Sequence, residues 1–283
     1  MGAISDAHGD METGLSGSVQ AYHASPAVPD WRIGEKSVSN TFMKKKKIKI
    51  IIPVVGAVIV GVLFFYLLAG NHAATDEARA ALSPTESVTV EDTGSEIIFT
   101  PAENPEGTGF VFYPGGKVDA EAYAYLARGL AERGILSVIV KMPFDLAVFN
   151  SNGAKGVLEG HPEIRSWYIG GHSLGGVMAS GYAAKDERIL GVAFLASYPN
   201  SDLSGSGLRA LSLTAANDGV LNREKYEEAL PLFPADTVFY DIEGGNHAGF
   251  GSYGAQDGDG AASISPAAQQ DIAVGQIMEW IRG

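Results

Sequence analysis

The sequence contains no cysteine. That excludes disulfides, thiolate metal sites and a cysteine nucleophile, and it leaves the compartment undetermined. Positive charge is also in short supply: 20 Lys and Arg stand against 33 Asp and Glu, a formal net charge of −13 at pH 7. A phosphate binder needs a basic surface, so no nucleic-acid partner is expected. The imbalance is uneven. Of those charges, residues 1–70 hold 7 basic and 5 acidic, leaving 13 and 28, or −15, for residues 71–283. The simplest reading of the acidic part is a soluble, self-repelling surface. No internal repeat is present. At 283 residues and 46% hydrophobic the chain can bury the core of one ordinary domain with appendages, or of two small ones.

Residues 1–43 are rich in Gly, Ser, Ala and Asp without helical or strand period, and read as a disordered cytoplasmic tail. Lys44, Lys45, Lys46, Lys47 and Lys49 follow, and then Ile50 to Gly70 without a charge. At ~1.5 Å per residue, that run spans about 30 Å, the hydrocarbon thickness of a bilayer. Residues 44–70 therefore read as a basic flank and a single transmembrane anchor, the membrane contact being residues 50–70. The lysines put the N-terminal side in the cytoplasm and the rest outside it. A cleaved signal peptide starting at Met43 is the competing reading, and either way the folded part is exported.

Residues 71–95 are polar and read as a spacer, with a helical turn at Asp76–Leu82. From residue 96 to 283 strands and helices alternate. Glu96–Thr100, Gly109–Tyr113, Ile135–Lys141, Ser166–Gly170, Leu190–Ala196, Ala210–Ala215 and Thr237–Ile242 read as strands. Asp119 is positioned to cap a helix running to Arg133, Phe144–Leu158 reads as an interrupted helix, and Leu174–Ala184 and Arg223–Leu230 as further helices. Ser265-Pro266 opens the last one, with Ile272, Ile277, Trp280 and Ile281 on its apolar face. Strands apolar along their whole length, separated by helices, imply an α/β fold: a mostly parallel sheet with helices on both faces. Asp257-Gly258-Asp259-Gly260 echoes part of a calcium loop but lacks the remaining ligand spacing, and reads as a surface turn.

Gly171-His172-Ser173-Leu174-Gly175 stands between a strand and a helix. Where glycine is this common, the pattern G-x-S-x-G means little alone; the strand–turn–helix setting gives it weight, because there the turn lifts the serine hydroxyl clear of the sheet. A serine hydroxyl needs a base, and the base an orienting acid. In enzymes built on this turn they follow in the order acid, then histidine, at the carboxyl ends of later strands. Asp218 follows the strand Ala210–Ala215, with Asp202 as its rival. His247 follows Thr237–Ile242. Of the other histidines, His8, His23 and His72 fall in the tail or spacer, His161 lies at the wrong end of its strand, and His172 should point away from Ser173. Two backbone N–H groups are needed for the oxyanion. Leu174 supplies one at a helix N-terminus, and the loop Tyr113-Pro114-Gly115-Gly116-Lys117 supplies the other, from Gly116 with Gly115 or Lys117 as alternatives.

Together, Tyr-Pro-Gly-Gly-Lys at 113–117, the Ser173 turn, Asn217-Asp218-Gly219 and Glu243-Gly244-Gly245-Asn246-His247 resemble the α/β-hydrolase superfamily over residues 96–283. More narrowly they resemble the compact bacterial subgroup called alpha/beta hydrolase fold-5, related to dienelactone hydrolase. The resemblance implies no metal or organic cofactor, and hydrolysis of a carboxylic ester or related acyl bond in a small-molecule substrate. The nucleophile here is Ser173 and not the cysteine of dienelactone hydrolase, which separates this protein from that activity. The link Ser197–Gly207 is too short for a large lid. Expected, then, is a membrane-anchored serine hydrolase; an acyltransferase acting on envelope sugars or lipids through the same residues, or a catalytically idle binding module of the same fold, is the alternative.

Overall fold

The computed structural model describes residues 70–103 and 107–283. Residues 1–69, which carry the expected tail, the basic flank and all but the last residue of the expected anchor, lie outside the described residues. Among those described, no helix is long and apolar enough to cross a membrane.

In chain order the elements are α1 (Asp76–Ala80), β1 (Val88–Asp92), β2 (Glu96–Pro101), β3 (Thr108–Tyr113), α2 (Ala124–Ala131), β4 (Leu136–Val140), α3 (Ala154–Gly160) and β5 (Ser166–His172). There follow α4 (Leu174–Ala183), β6 (Ile189–Leu195), β7 (Arg209–Ala215), α5 (Arg223–Ala229), β8 (Val238–Ile242) and α6 (Pro266–Arg282). The strands form one eight-stranded sheet in the order β1-β2-β4-β3-β5-β6-β7-β8. The pairs β1–β2 and β2–β4 are antiparallel, and the rest of the sheet is parallel.

The central strands are apolar throughout because both their faces are covered. Successive side chains of a strand point to opposite faces, and on β3 Phe110 and Phe112 enter one core while Val111 and Tyr113 enter the other. The first core is closed by α2, through Leu126 and Leu130, and by α6, through Val274, Ile277 and Trp280. The second is closed by α3, through Val157 and Leu158, and by α4, through Ala179 and Tyr182. Register places Val111 beside Val138 of β4 and Ile169 of β5, which stacks branched side chains across three strands. The Ser265 hydroxyl accepts from the Ala268 N–H at 3.2 Å, and Pro266 fills the first helical position, so α6 starts as expected.

Three expectations are corrected. Residues 71–95, expected as a spacer, hold the expected helical turn as α1 but also β1, which pairs along its length with β2. Asp119 caps no helix: its carboxylate accepts from the Asn71 amide and from the Ala74 N–H, and the backbone turns through a 3-10 segment at Ala120–Tyr123 before α2 begins. Residues 144–158 are not one interrupted helix. Phe144 and Asp145 have φ of 57° and 55°, a left-handed backbone that breaks any helix. Two 3-10 turns at Pro143–Asp145 and Ala147–Phe149 precede α3 instead. Between β6 and β7, residues 196–208 hold only turns and bends.

Candidate active site

Strand β5 ends at His172 and α4 begins at Leu174, leaving Ser173 alone between them at φ 52°, ψ −124°. A non-glycine residue in that region is strained, and such strain persists where the surroundings enforce it. Here they do. A Cβ on Gly175 would lie 2.1 Å from the Tyr113 carbonyl oxygen, and one on Gly171 would lie 2.5 Å from the Gly175 carbonyl carbon. The backbone can therefore cross itself only with glycine at both positions. The Ser173 N–H donates to the Leu195 carbonyl at 2.9 Å, tying the turn to β6.

The candidate acid and base, Asp218 and His247, follow the ends of β7 and β8. One Asp218 carboxylate oxygen accepts from the Val220 and Leu221 N–H groups at 2.8 and 2.7 Å, which fixes the carboxylate. The other lies 2.9 Å from His247 Nδ1, and both side chains are almost fully buried. Burial works to raise the Asp218 pKa, but the hydrogen bond and charge of His247, with the Leu221 and Val220 N–H groups, outweigh it and hold the carboxyl below its ordinary range. An ionised Asp218 is an acceptor only, so His247 Nδ1 carries the proton and Nε2 is left to act as a base. Asp202, the rival acid, is exposed and turned back on the Ser204 N–H and hydroxyl.

Ser173 and His247 line one cleft of about 230 Å³, together with Val177, Ala196, Tyr198 and Leu221. Larger hollows exist, one of about 560 Å³ between Pro101 and Arg133, but it contains neither a serine beside a histidine nor any part of the Ser173 turn. No group of three or more His, Asp or Glu among the described residues could hold a metal ion.

The three candidate donors in the loop after β3 differ in what they already bind. Gly115 N–H donates to Tyr123 Oη at 3.0 Å, and Lys117 N–H to the Asp145 carbonyl at 2.7 Å. Neither Gly116 N–H nor Leu174 N–H has an acceptor among the described residues. Gly116 also lies over Leu174, since a Cβ there would be 3.1 Å from Leu174 Cδ2.

His172 is buried against His247. Its Nδ1 lies 2.9 Å from Tyr123 Oη, and its pKa is driven well below the ordinary value by burial and then by the charge of His247. His161, at the other end of β5, pairs with Glu163, and His72 packs against the ring of Tyr253. His8 and His23 lie outside the described residues.

Two residues escaped the sequence reading. Tyr123 has no local signal, being one of two tyrosines among alanines. Asp257 and Gly258 form the expected exposed turn, but the Asp259 carboxylate beside it accepts from His247, Ala248, Gly219 and Gly260 N–H groups at 3.2, 2.8, 3.1 and 2.8 Å. The only hint was glycine on both sides of it, which lets backbones approach closely. Four N–H donors aimed at one carboxylate suit an anion, so the segment is the reverse of a cation loop.

A family model described as "Alpha/beta hydrolase family" matches residues 109–271, more than half of the sequence. No curated protein matches the sequence significantly. Among solved structures, that of TT1662 from Thermus thermophilus is similar, with a TM-score of 0.51 at 15% identity, over 69% of this chain and 99% of that one. Est1E from Butyrivibrio proteoclasticus is similar too, with a TM-score of 0.51 at 13% identity, over 70% and 100%. At such identities the likeness is one of fold.

Proposed function

The chain belongs to the alpha/beta hydrolase family, and on that premise we propose that it is a membrane-anchored serine hydrolase cleaving a carboxylic ester or related acyl bond. One observation carries the reading. His247 is held at Nδ1 by Asp218 at 2.9 Å while it shares a cleft with a serine kept at positive φ.

In the proposed mechanism His247 Nε2 takes the Ser173 proton as Oγ attacks the acyl carbonyl. The oxygen that gains the negative charge is received by the Leu174 and Gly116 N–H groups, which are unspent and need no reorganisation. Collapse breaks the bond to the alcohol, which leaves with the proton from His247. Water then repeats the attack on the acyl-serine, gives its proton to His247, and the acid departs as Ser173 recovers it. Asp218 keeps the imidazole tautomer correct and stabilises its charged form without itself becoming protonated.

The test uses the full-length protein in detergent. It should hydrolyse short p-nitrophenyl esters and react covalently with a fluorophosphonate, with both lost in Ser173→Ala. A folded wild-type protein that takes no label, or a label that survives in Ser173→Ala, would end this reading. The anchor is supported by the lysines at 44–47 and 49 and the uncharged run at 50–70. Extraction of the native membrane with alkaline carbonate should leave the protein in the pellet, and protease added outside the cell should reach residues 71–283.

A further inference from the structure

The described residues begin at one defined spot on the domain. Directly after Gly70, the Asn71 side-chain amide donates to the carboxylates of Asp119 and Asp145, the latter at 3.1 Å. His72 N–H donates to the Lys117 carbonyl at 2.7 Å, and Asp119 N–H returns to the His72 carbonyl at 3.0 Å. Lys117 N–H in turn holds the Asp145 carbonyl at 2.7 Å. Asn71 and His72 are thus fastened to the Gly116 loop and to the turn after β4.

That turn presents an apolar surface beside the site. Phe144, Val148 and Phe149 are 57, 49 and 50% exposed, and the rings of Phe144 and Phe149 meet edge to face at 5.7 Å. Phe144 and Asp145 are held in left-handed backbone, which non-glycine residues rarely adopt. Leu146, in the same turn, packs inward toward Gly116, within 3.6 Å of where its Cβ would be. The other group of exposed apolar side chains, Val238, Phe239 and Tyr240, lies on β8, five strand spacings from β4 in the sheet order, or about 24 Å away.

Resting on the reading of residues 50–70 as an anchor and Ser173 as a nucleophile, we propose that Phe144, Val148 and Phe149 lie in the outer face of the bilayer. The cleft then opens at the lipid surface, and the substrate class is a membrane-partitioned acyl ester. The reach of the backbone carries this. If Gly70 stands at the membrane boundary, Asn71 is one Cα step of about 3.8 Å beyond it, and Asn71 bonds Asp145, the neighbour of Phe144. Apolar faces bound at an interface sink about 5–10 Å into it. Exposed aromatic rings that would otherwise face water find there the apolar surroundings they lack.

The experiment uses the full-length protein reconstituted in phosphatidylcholine vesicles. Tryptophan fluorescence of Phe149→Trp, corrected for wild type, should be quenched by phosphatidylcholine with brominated acyl chains, and that of Phe239→Trp should not. The variant Phe144→Ser/Val148→Ser/Phe149→Ser should hydrolyse soluble p-nitrophenyl acetate at the wild-type rate but lose about fivefold or more on a long-chain ester dissolved in the vesicles. Absence of quenching in vesicles that resist carbonate overturns the proposal, as does equal loss on both esters. Quenching of both tryptophans alike overturns it too, since adsorption would then be unspecific, and so does a Phe149→Trp signal that depends on protein concentration, which would mean a second copy covers the patch. Protein stripped by carbonate sinks the anchor reading and this proposal with it. Quenching without hydrolysis of either ester by wild type sinks the nucleophile reading and removes the substrate assignment.

Discussion

The rings of His172 and His247 lie 4.4 Å apart, centroid to centroid, at an interplanar angle of 50°. Two imidazoles that close cannot both carry charge cheaply, and the surroundings decide which one does. Gly115 N–H already donates to Tyr123 Oη, so the tyrosine proton is directed to His172 Nδ1. Burial and the neighbouring charge keep His172 neutral.

Stability should therefore fall in mild acid. The ordinary His pKa of about 6.5 applies to the unfolded state, whereas folded His172 stays neutral well below it. As pH drops through about 6.5 the unfolded state takes up a proton that the folded state refuses, so stability is complete above that point and is lost below it. The slope from this group approaches about 1.4 kcal/mol per pH unit. The lowered Asp218 pKa acts only further down, as pH falls through the carboxylate range. Calorimetric melting between pH 7 and pH 5 should show a shallower decline for His172→Gln than for wild type; parallel declines would refute this.

Tyr123→Phe should strip the Gly115 N–H and His172 Nδ1 of their shared partner. The cost is about 1–3 kcal/mol for buried polar groups left unpaired, readable in urea unfolding. Because the same hydroxyl holds the Gly116 loop, kcat should fall while KM stays near the wild-type value.

Asp218→Asn should lower kcat by roughly 10³- to 10⁴-fold while the fold persists, because the amide favours the wrong imidazole tautomer. Asp202→Asn should leave ester hydrolysis unchanged, its carboxylate being exposed and bonded to Ser204. Steady-state kinetics of the two variants side by side decide the identity of the acid.

Gly175→Ala and Gly116→Ala should part company. At Gly175 the added carbon meets the Tyr113 and Pro114 carbonyl oxygens at 2.1 and 2.3 Å, backbone atoms that cannot yield. Unfolding free energy should drop by more than about 3 kcal/mol, or the protein should not fold. At Gly116 the neighbour is the mobile end of Leu174 at 3.1 Å, so that variant should remain folded.

Asp259 is expected to act as a positioning residue. Its carboxylate joins the acid loop at Gly219 to the base loop at His247 and Ala248. Asp259→Ala should cut kcat by about 10- to 100-fold with little change in KM. Amide exchange should speed up in residues 217–222 and 246–250 alone. Asp259→Asn keeps the oxygen that accepts three of the four N–H groups and should recover part of the rate. Equal losses in both variants, with faster exchange across the whole sheet, would mean a general role in folding instead.

The sequence alone carried the alternation of strands and helices, because burial on both faces demands unbroken apolar runs at β3, β4 and β5. It also carried the turn at Ser173, since backbone crossing backbone admits only glycine at 171 and 175, and by elimination it isolated His247. It did not carry the pairing of β1 with β2, which rests on a polar strand finding an edge 5–13 residues on, nor the left-handed break at Phe144. Position along the sequence favoured Asp218 over Asp202, and Gly116 over Gly115 and Lys117, without showing what any of them binds. The folded protein gives them different partners, because whether a carboxylate reaches an imidazole, or an N–H remains unspent, depends on residues 8 to 40 positions away. Local pattern follows from what each residue can bury, and a site follows from which distant polar groups have already found one another.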